Sequence, residues 1–353
     1  MRFTRTHLVL ACSILPWVIP QTAWAQEAPP REVGERPPQE EAQPDVAAVF
    51  QERGLLTPKG SWVVEPSLQY VHSSSTTVAV DGFTILPAIA VGLIDISEVQ
   101  RDTLTAALSF RYGLSDRTEV GIRIPYVWRD ESLRRREVLV GADAGALSES
   151  DGDGLGDVEL ALHYQFNRAV TGKPFFIGNF RVKAPTGSSP FDVDRVPAVN
   201  SDGEEIPGLF ILQEQPTGSG FWAIQPSLTM TYPTDPAVIY GNISYLWNIE
   251  RDVDDDIGKI NPGDALGISL GTGIALNNQT SISLGYDHSM VFKTKYERGA
   301  PLDPSFDRIQ VGTFLWGLSH RFSPRTSMNL SVGIGATSAA PDTQVTLRIP
   351  MRF

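Results

Sequence analysis

The stretch DTQVTLRIPMRF, residues 342–353, has two different faces. Val345, Leu347, Ile349, Met351 and Phe353 make one face apolar, while Gln344, Thr346, Arg348, Pro350 and Arg352 alternate with them. A period of two is that of a β-strand, whose side chains point in turn to opposite sides. The same alternation recurs in eleven segments upstream: 61–72, 103–112, 118–129, 157–166, 175–184, 221–232, 237–248, 265–276, 280–292, 310–322 and 327–336. This predicts an all-β chain of twelve strands over residues 61–353.

The connections between these segments alternate in length. Five are tight (113–117, 167–174, 233–236, 277–279, 323–325), and the others are long (73–100, 130–156, 185–220, 249–264, 293–309), except 337–343. Short turns on one side and long loops on the other mark an antiparallel up-and-down transmembrane barrel of the outer membrane. About ten tilted residues suffice to cross the hydrocarbon. The apolar faces carry rings at strand ends, namely Tyr112, Tyr126, Trp128, Tyr164, Phe166, Trp222, Tyr232, Tyr245, Trp247, Phe322 and Phe353. Rings so placed form interfacial girdles. A secreted sandwich also alternates, but its strands are usually shorter. In lipid an open edge leaves backbone groups unpaired, so the strand at 342–353 is expected to pair with the first and close the cylinder. Phe353 then belongs to the periplasmic girdle. An aromatic residue after alternating apolar ones also resembles the signal read by the outer-membrane barrel-assembly machinery.

Residues 1–25 carry Arg2 and Arg5, the apolar run LVLACSILPWVIP and a small-x-small site at Ala23-Trp24-Ala25, the layout of a secretory signal peptide. Its removal takes two arginines and no acid, moving the formal charge from −12 to −14. It also removes Cys12, the single cysteine, so disulfides, Cys-ligated zinc and a cysteine nucleophile are excluded. The acidic balance argues against nucleic acid, whose phosphates need clustered Lys and Arg.

Residues 26–44 are rich in Pro and Glu and read as an extended periplasmic linker. In 45–58, Asp45 suits an N-cap, Val46, Val49 and Phe50 share a helical face, and Gly54 suits a stop. So short a helix, which also carries Arg53, is not stable alone in water and needs a docking surface. It is a candidate plug.

On the polar faces lie Arg101, Arg111, Arg123, Arg129, Arg181, Lys183, Arg321, Arg348 and Arg352, against Glu65, Glu119, Asp157, Glu159 and Asp287, with His163 among them. Two readings stay open: a cationic pore favouring acidic solutes, or ion pairs filling a narrow interior. The run FTILPAIAVGLIDISEV (83–99) reads as a lid or as an extension of the first hairpin. SDGDGLGD (150–157) has alternating aspartates, but the loop from Asp151 offers Leu162 where an EF-hand needs Glu, so it reads as a flexible external loop. ERDVDDD (250–256) reads as a solvated loop. No nucleophile elbow, catalytic carboxylate pair or metal-spaced histidines appear, so neither enzyme chemistry nor a cofactor or metal is expected.

Four stretches resemble a known family: RGLLTPKGSWVVEPSLQYVHSSS, then GFTILPAIAVGLIDISEVQRDTLTAALSFRYGLSDRTEVGIRIPYVWR, then PTGSGFWAIQPSLTMTYPTDPAVIYGNISYLWNIERDV, then APDTQVTLRIPMRF. They are similar to FapF-type secretion barrels of the bacterial functional-amyloid system, related to a wider group named for the meta-pathway of phenol degradation. The resemblance covers roughly residues 45–353. It implies a twelve-stranded barrel in a Gram-negative outer membrane, plugged by a short helix (Asp45 to Leu56, with Phe50 as anchor), that exports amyloid subunits for biofilm fibrils. Members of that family form homotrimers through a long periplasmic coiled coil. Residues 26–44 are too short and Pro-rich for such heptads. Export of amyloid subunits therefore stands beside uptake of small aromatic or hydrophobic compounds, as the wider family name suggests.

Overall fold

The computed structural model describes residues 56–74, 97–135, 147–168, 172–199, 205–234, 237–254, 258–296 and 308–353. No helix occurs among them. The strands are β1 (Trp62–Ser74), β2 (Ser97–Ser115), β3 (Thr118–Arg135), β4 (Leu147–Leu155), β5 (Val158–Gln165) and β6 (Phe175–Ala184). A small hairpin of β7 (Arg195–Val199) and β8 (Glu205–Leu212) follows, then β9 (Ala223–Pro233) and β10 (Ala237–Asn248). Next come the short β11 (Arg251–Asp254) and β12 (Gly258–Asn261), then β13 (Ala265–Ala275), β14 (Thr280–Phe292) and the short β15 (Lys295–Tyr296). The last are β16 (Arg308–Ser323), β17 (Thr326–Gly335), β18 (Thr343–Arg348) and β19 (Met351–Arg352).

β4 and β5 both pair with β3 and make one broken crossing, as β18 and β19 do beside β1. Counted so, twelve antiparallel crossings run in chain order, and β1 pairs with β18 and β19 to close the cylinder. At the seam, Trp62 and Phe353 exchange backbone hydrogen bonds of 3.1 and 2.8 Å. Closure leaves no unpaired edge facing lipid, the condition for crossing a membrane with strands. The hairpin β7–β8 and the sheet β11–β12–β15 lie in connections on the long-loop side.

The outer face is apolar. Leu270, Leu284 and Phe314, each near the middle of its strand, are 61%, 58% and 61% exposed. Trp62 packs tilted against Tyr112 at the short-turn end and Tyr126 against Trp128 at the other, with ring centroids 4.5 and 4.7 Å apart. Polar groups fill the interior instead, with Gln69, Thr103, Glu119, Glu159, Lys183 and Ser283 all buried. This inversion of a soluble protein is what an apolar solvent on the outside requires.

Two expectations fail. Within 250–256, read as a solvated loop, Arg251–Asp254 form β11 and pair with β12. Residues 150–157 are not a flexible loop: β3 runs on to Arg135 and most of that stretch is β4, paired with it from Tyr126↔Leu155 to Arg134↔Leu147. Gly152 faces inward against a second segment, where a Cβ would stand 2.1 Å from the Gln215 carbonyl oxygen. Asp153 points outward and accepts a 2.5 Å hydrogen bond from the Tyr126 hydroxyl. The glycines thus serve close packing, not flexibility. Of the 45–58 plug region, Leu56 to Pro58 are irregular, and the rest, with Asp45, Val46, Val49, Phe50 and Arg53, lies outside the described residues. So do the signal peptide, the linker and residues 83–96.

Candidate functional site

The pairing register puts the predicted lining residues on the inner face. Those on β2 to β6 are brought together, while Asp287, Arg321 and Arg348 lie further round the wall on β14, β16 and β18. Glu65 accepts from Arg111 at 3.1 Å. Glu159 accepts from both Arg123 and Arg181, each at 3.1 Å, and the Arg181 Nε donates to Gln225 at 3.0 Å. Arg101 Nε donates to Glu131 at 2.7 Å. His163 Nδ1 lies 2.7 Å from Asn179 Oδ1. Across this half of the barrel most inward cations are ion-paired, whereas Arg129 has no carboxylate within ion-pair distance among the described residues and turns to a backbone carbonyl. Buried carboxylates so paired hold neighbouring strands in one arrangement, and removing either partner leaves a charge with no compensation.

Glu119 has a second role. It is 2% exposed, stands 3.9 Å from Arg111 and 4.0 Å from His163, and accepts from Thr57 twice. The Thr57 backbone N–H reaches its Oε2 at 2.7 Å, and the Thr57 hydroxyl donates to the same oxygen. The chain therefore enters the first strand from inside the short-turn mouth. It joins the wall beside Gly113, where Gly60 N–H donates to the Gly113 carbonyl at 2.8 Å. A Cβ on Gly113 would lie 2.1 Å from the Pro58 carbonyl oxygen.

A third element was not recognised from the sequence. PTGSSPF (185–191) and PTGSGF (216–221) are two copies of one motif, and they clasp each other. Gly218 N–H donates to the Ser188 carbonyl at 3.0 Å, Thr217 N–H to Ser188 Oγ at 2.8 Å, and Ser188 N–H to Thr217 Oγ1 at 3.0 Å. The Phe191 and Phe221 rings meet edge to face at 5.8 Å. Asp157, at the break between β4 and β5, joins the copies by accepting from Gly187 N–H at 3.2 Å and Ser219 N–H at 2.9 Å. Lys183, 3% exposed at its side chain, sits 3.3 Å from the same carboxylate. Arg129 donates to the Pro216 carbonyl at 2.6 Å. The clasp thus fills the wall where the crossing is broken. The repeated PTGS was the signal that could have revealed it.

At the short-turn end a cavity of about 180 Å³ is lined by Thr57, Val63, Glu65, Arg111, Asn329 and Ser327 together with Arg325, Arg348 and Arg352. Arg348 lies opposite Ser67 and Asn329, and Arg352 opposite Val63.

Comparison with known proteins agrees with this architecture. The crystal structure of the COG4313 outer membrane channel from Pseudomonas putida F1 matches with a TM-score of 0.58 and 16% identity, over 85% of this chain and 97% of that one. Weaker likenesses extend to the translocator domain of the autotransporter NalP from Neisseria meningitidis (TM-score 0.44, 10% identity, 87% and 96% covered). They extend also to the Pseudomonas putida toluene transporter TodX (TM-score 0.38, 13% identity, 88% and 91% covered). Residues 213–353 match the family model described as "Putative MetA-pathway of phenol degradation". With its closed cylinder, apolar belt and ring girdles, the chain is a twelve-stranded β-barrel of the Gram-negative outer membrane.

Proposed function

We propose that this barrel is a channel for small solutes, single-ring aromatic or similar hydrophobic compounds, and not an exporter of amyloid subunits. The observation that carries this reading is the size of the space at the short-turn mouth. Its volume of about 180 Å³ is close to the roughly 150 Å³ that accommodates benzene in an engineered protein cavity. An unfolded polypeptide would need the Thr57 contact at this mouth displaced. The family description for residues 213–353 and the fold shared with a solved channel support solute passage.

In the same reading, residues 45–58 form a gate. Asp45, Val46, Val49, Phe50 and Arg53 dock within the mouth, and the Thr57–Glu119 contact is the fixed end of that segment. Single-channel recording in planar bilayers tests both parts, comparing residues 26–353 with a chain lacking 26–58. The longer chain is expected to be mostly closed and the shorter one open, with its current interrupted by millimolar single-ring aromatics. Open pores indifferent to such solutes, yet blocked transiently by an unfolded low-charge polypeptide, would overturn the reading in favour of export.

A further inference from the structure

Along β2 to β6 the inward cations other than Arg129 have an acid within ion-pair distance, but this matching breaks down at the short-turn end. Around the cavity stand Arg111, Arg325, Arg348 and Arg352, with Glu65 as the lining carboxylate. Glu65 is taken by Arg111 at 3.1 Å. Among the described residues, no carboxylate lies within ion-pair distance of Arg325, Arg348 or Arg352. Their contrast with Arg123, Arg181 and Lys183, each matched to an acid, is a contrast of position within one lumen.

The backbone holds the three together. Arg348 and Arg352 are on the same inward face of one crossing, and Arg352 N–H donates to the Arg325 carbonyl across the β16–β17 turn at 2.8 Å. Asn329, directly opposite Arg348, adds an amide to the lining. Guanidinium groups present planar forks of N–H donors that match a carboxylate in two parallel hydrogen bonds. The walls of a partly closed lumen screen such charges less than bulk water does.

We infer that this cavity is a binding site for a small carboxylate, held by Arg348 and Arg352 with Arg325 at the rim, and that its preferred solute is an aromatic acid. This rests on the small-solute reading above and names the class of solute that the reading leaves open.

The test is calorimetric titration of the detergent-solubilised chain, residues 26–353, with benzoate and with benzyl alcohol, its neutral counterpart of similar shape. Benzoate is expected to bind at least tenfold more tightly. The double variant Arg348→Gln/Arg352→Gln should lose that preference while keeping its folded, heat-modifiable band on gels. Equal affinity for the two ligands, or a preference untouched by the double variant in a folded barrel, would overturn the inference. No transport is involved in this measurement. A barrel that binds benzoate but passes no solute would therefore sink the channel reading and leave the site standing.

Discussion

Thr57 donates from its backbone nitrogen to Glu119 at 2.7 Å, joining the segment that precedes β1 to a carboxylate buried between β2 and β5. These residues are 62 apart in the chain. The contact ties the entry of the first strand to the inner wall, so it is the natural point at which closure of the mouth is held or released.

A hydrogen bond to a charged acceptor contributes about 1.5–3 kcal/mol. Thr57→Val, which keeps the backbone donor and removes the hydroxyl, is expected to raise open occupancy in single-channel records roughly tenfold or more. Glu119→Gln should act in the same direction. Open occupancy unchanged in both variants would remove this contact from any account of gating.

Gly113 tolerates no side chain while Pro58 stays in place, since a Cβ would stand 2.1 Å from its carbonyl oxygen. Gly113→Val should therefore push residues 57–60 out of the mouth without unfolding the cylinder. Trypsin cleavage after Lys59 gives the readout. It is expected to be slow in the parent and fast in the variant, with the heat-modifiable band retained in both.

Asp157 serves both PTGS copies and Lys183 at once. Asp157→Ala removes the carboxylate 3.3 Å from a buried ammonium and leaves two backbone donors unmatched, a loss of about 3–5 kcal/mol. The temperature at which the folded band converts to the unfolded one should fall clearly, and Asp157→Asn should fall between. A conversion temperature unmoved by the alanine change would mean that the clasp stands without its bridge.

Leu270, 61% exposed on the outer face of β13, separates a barrel in lipid from an all-β protein in water. Leu270→Arg at mid-strand should cost about 2–4 kcal/mol in urea-titrated folding into lipid vesicles. On a water-facing surface the same change would stay within about 0.5 kcal/mol.

The strands were legible because their period is local. Leu347 and Arg348 differ in solvent preference whatever the rest of the chain does, and twelve such alternations with short and long connections leave few ways to bury both faces. The inward placement of Arg101, Glu119, Arg181 and Lys183 followed from the same parity. Asp151 to Gly156 misled because aspartate and glycine carry turn preferences, and only a partner in space, Gln215, explains the bare inner face of β4.

The sequence by itself determined the all-β class, the count of crossings, the strand register relative to lipid and water, and which charges face inward. Only the tertiary structure decided which of those charges cancel. Glu159 meets two arginines from neighbouring strands, and Asp157 meets two loop segments that lie far apart in the chain. Arg348 and Arg352, with the same chemistry, meet no acid at all among the described residues. Ion pairing depends on distances of 3–4 Å across strands, and those distances are fixed by closure of the cylinder, not by the order of residues along it.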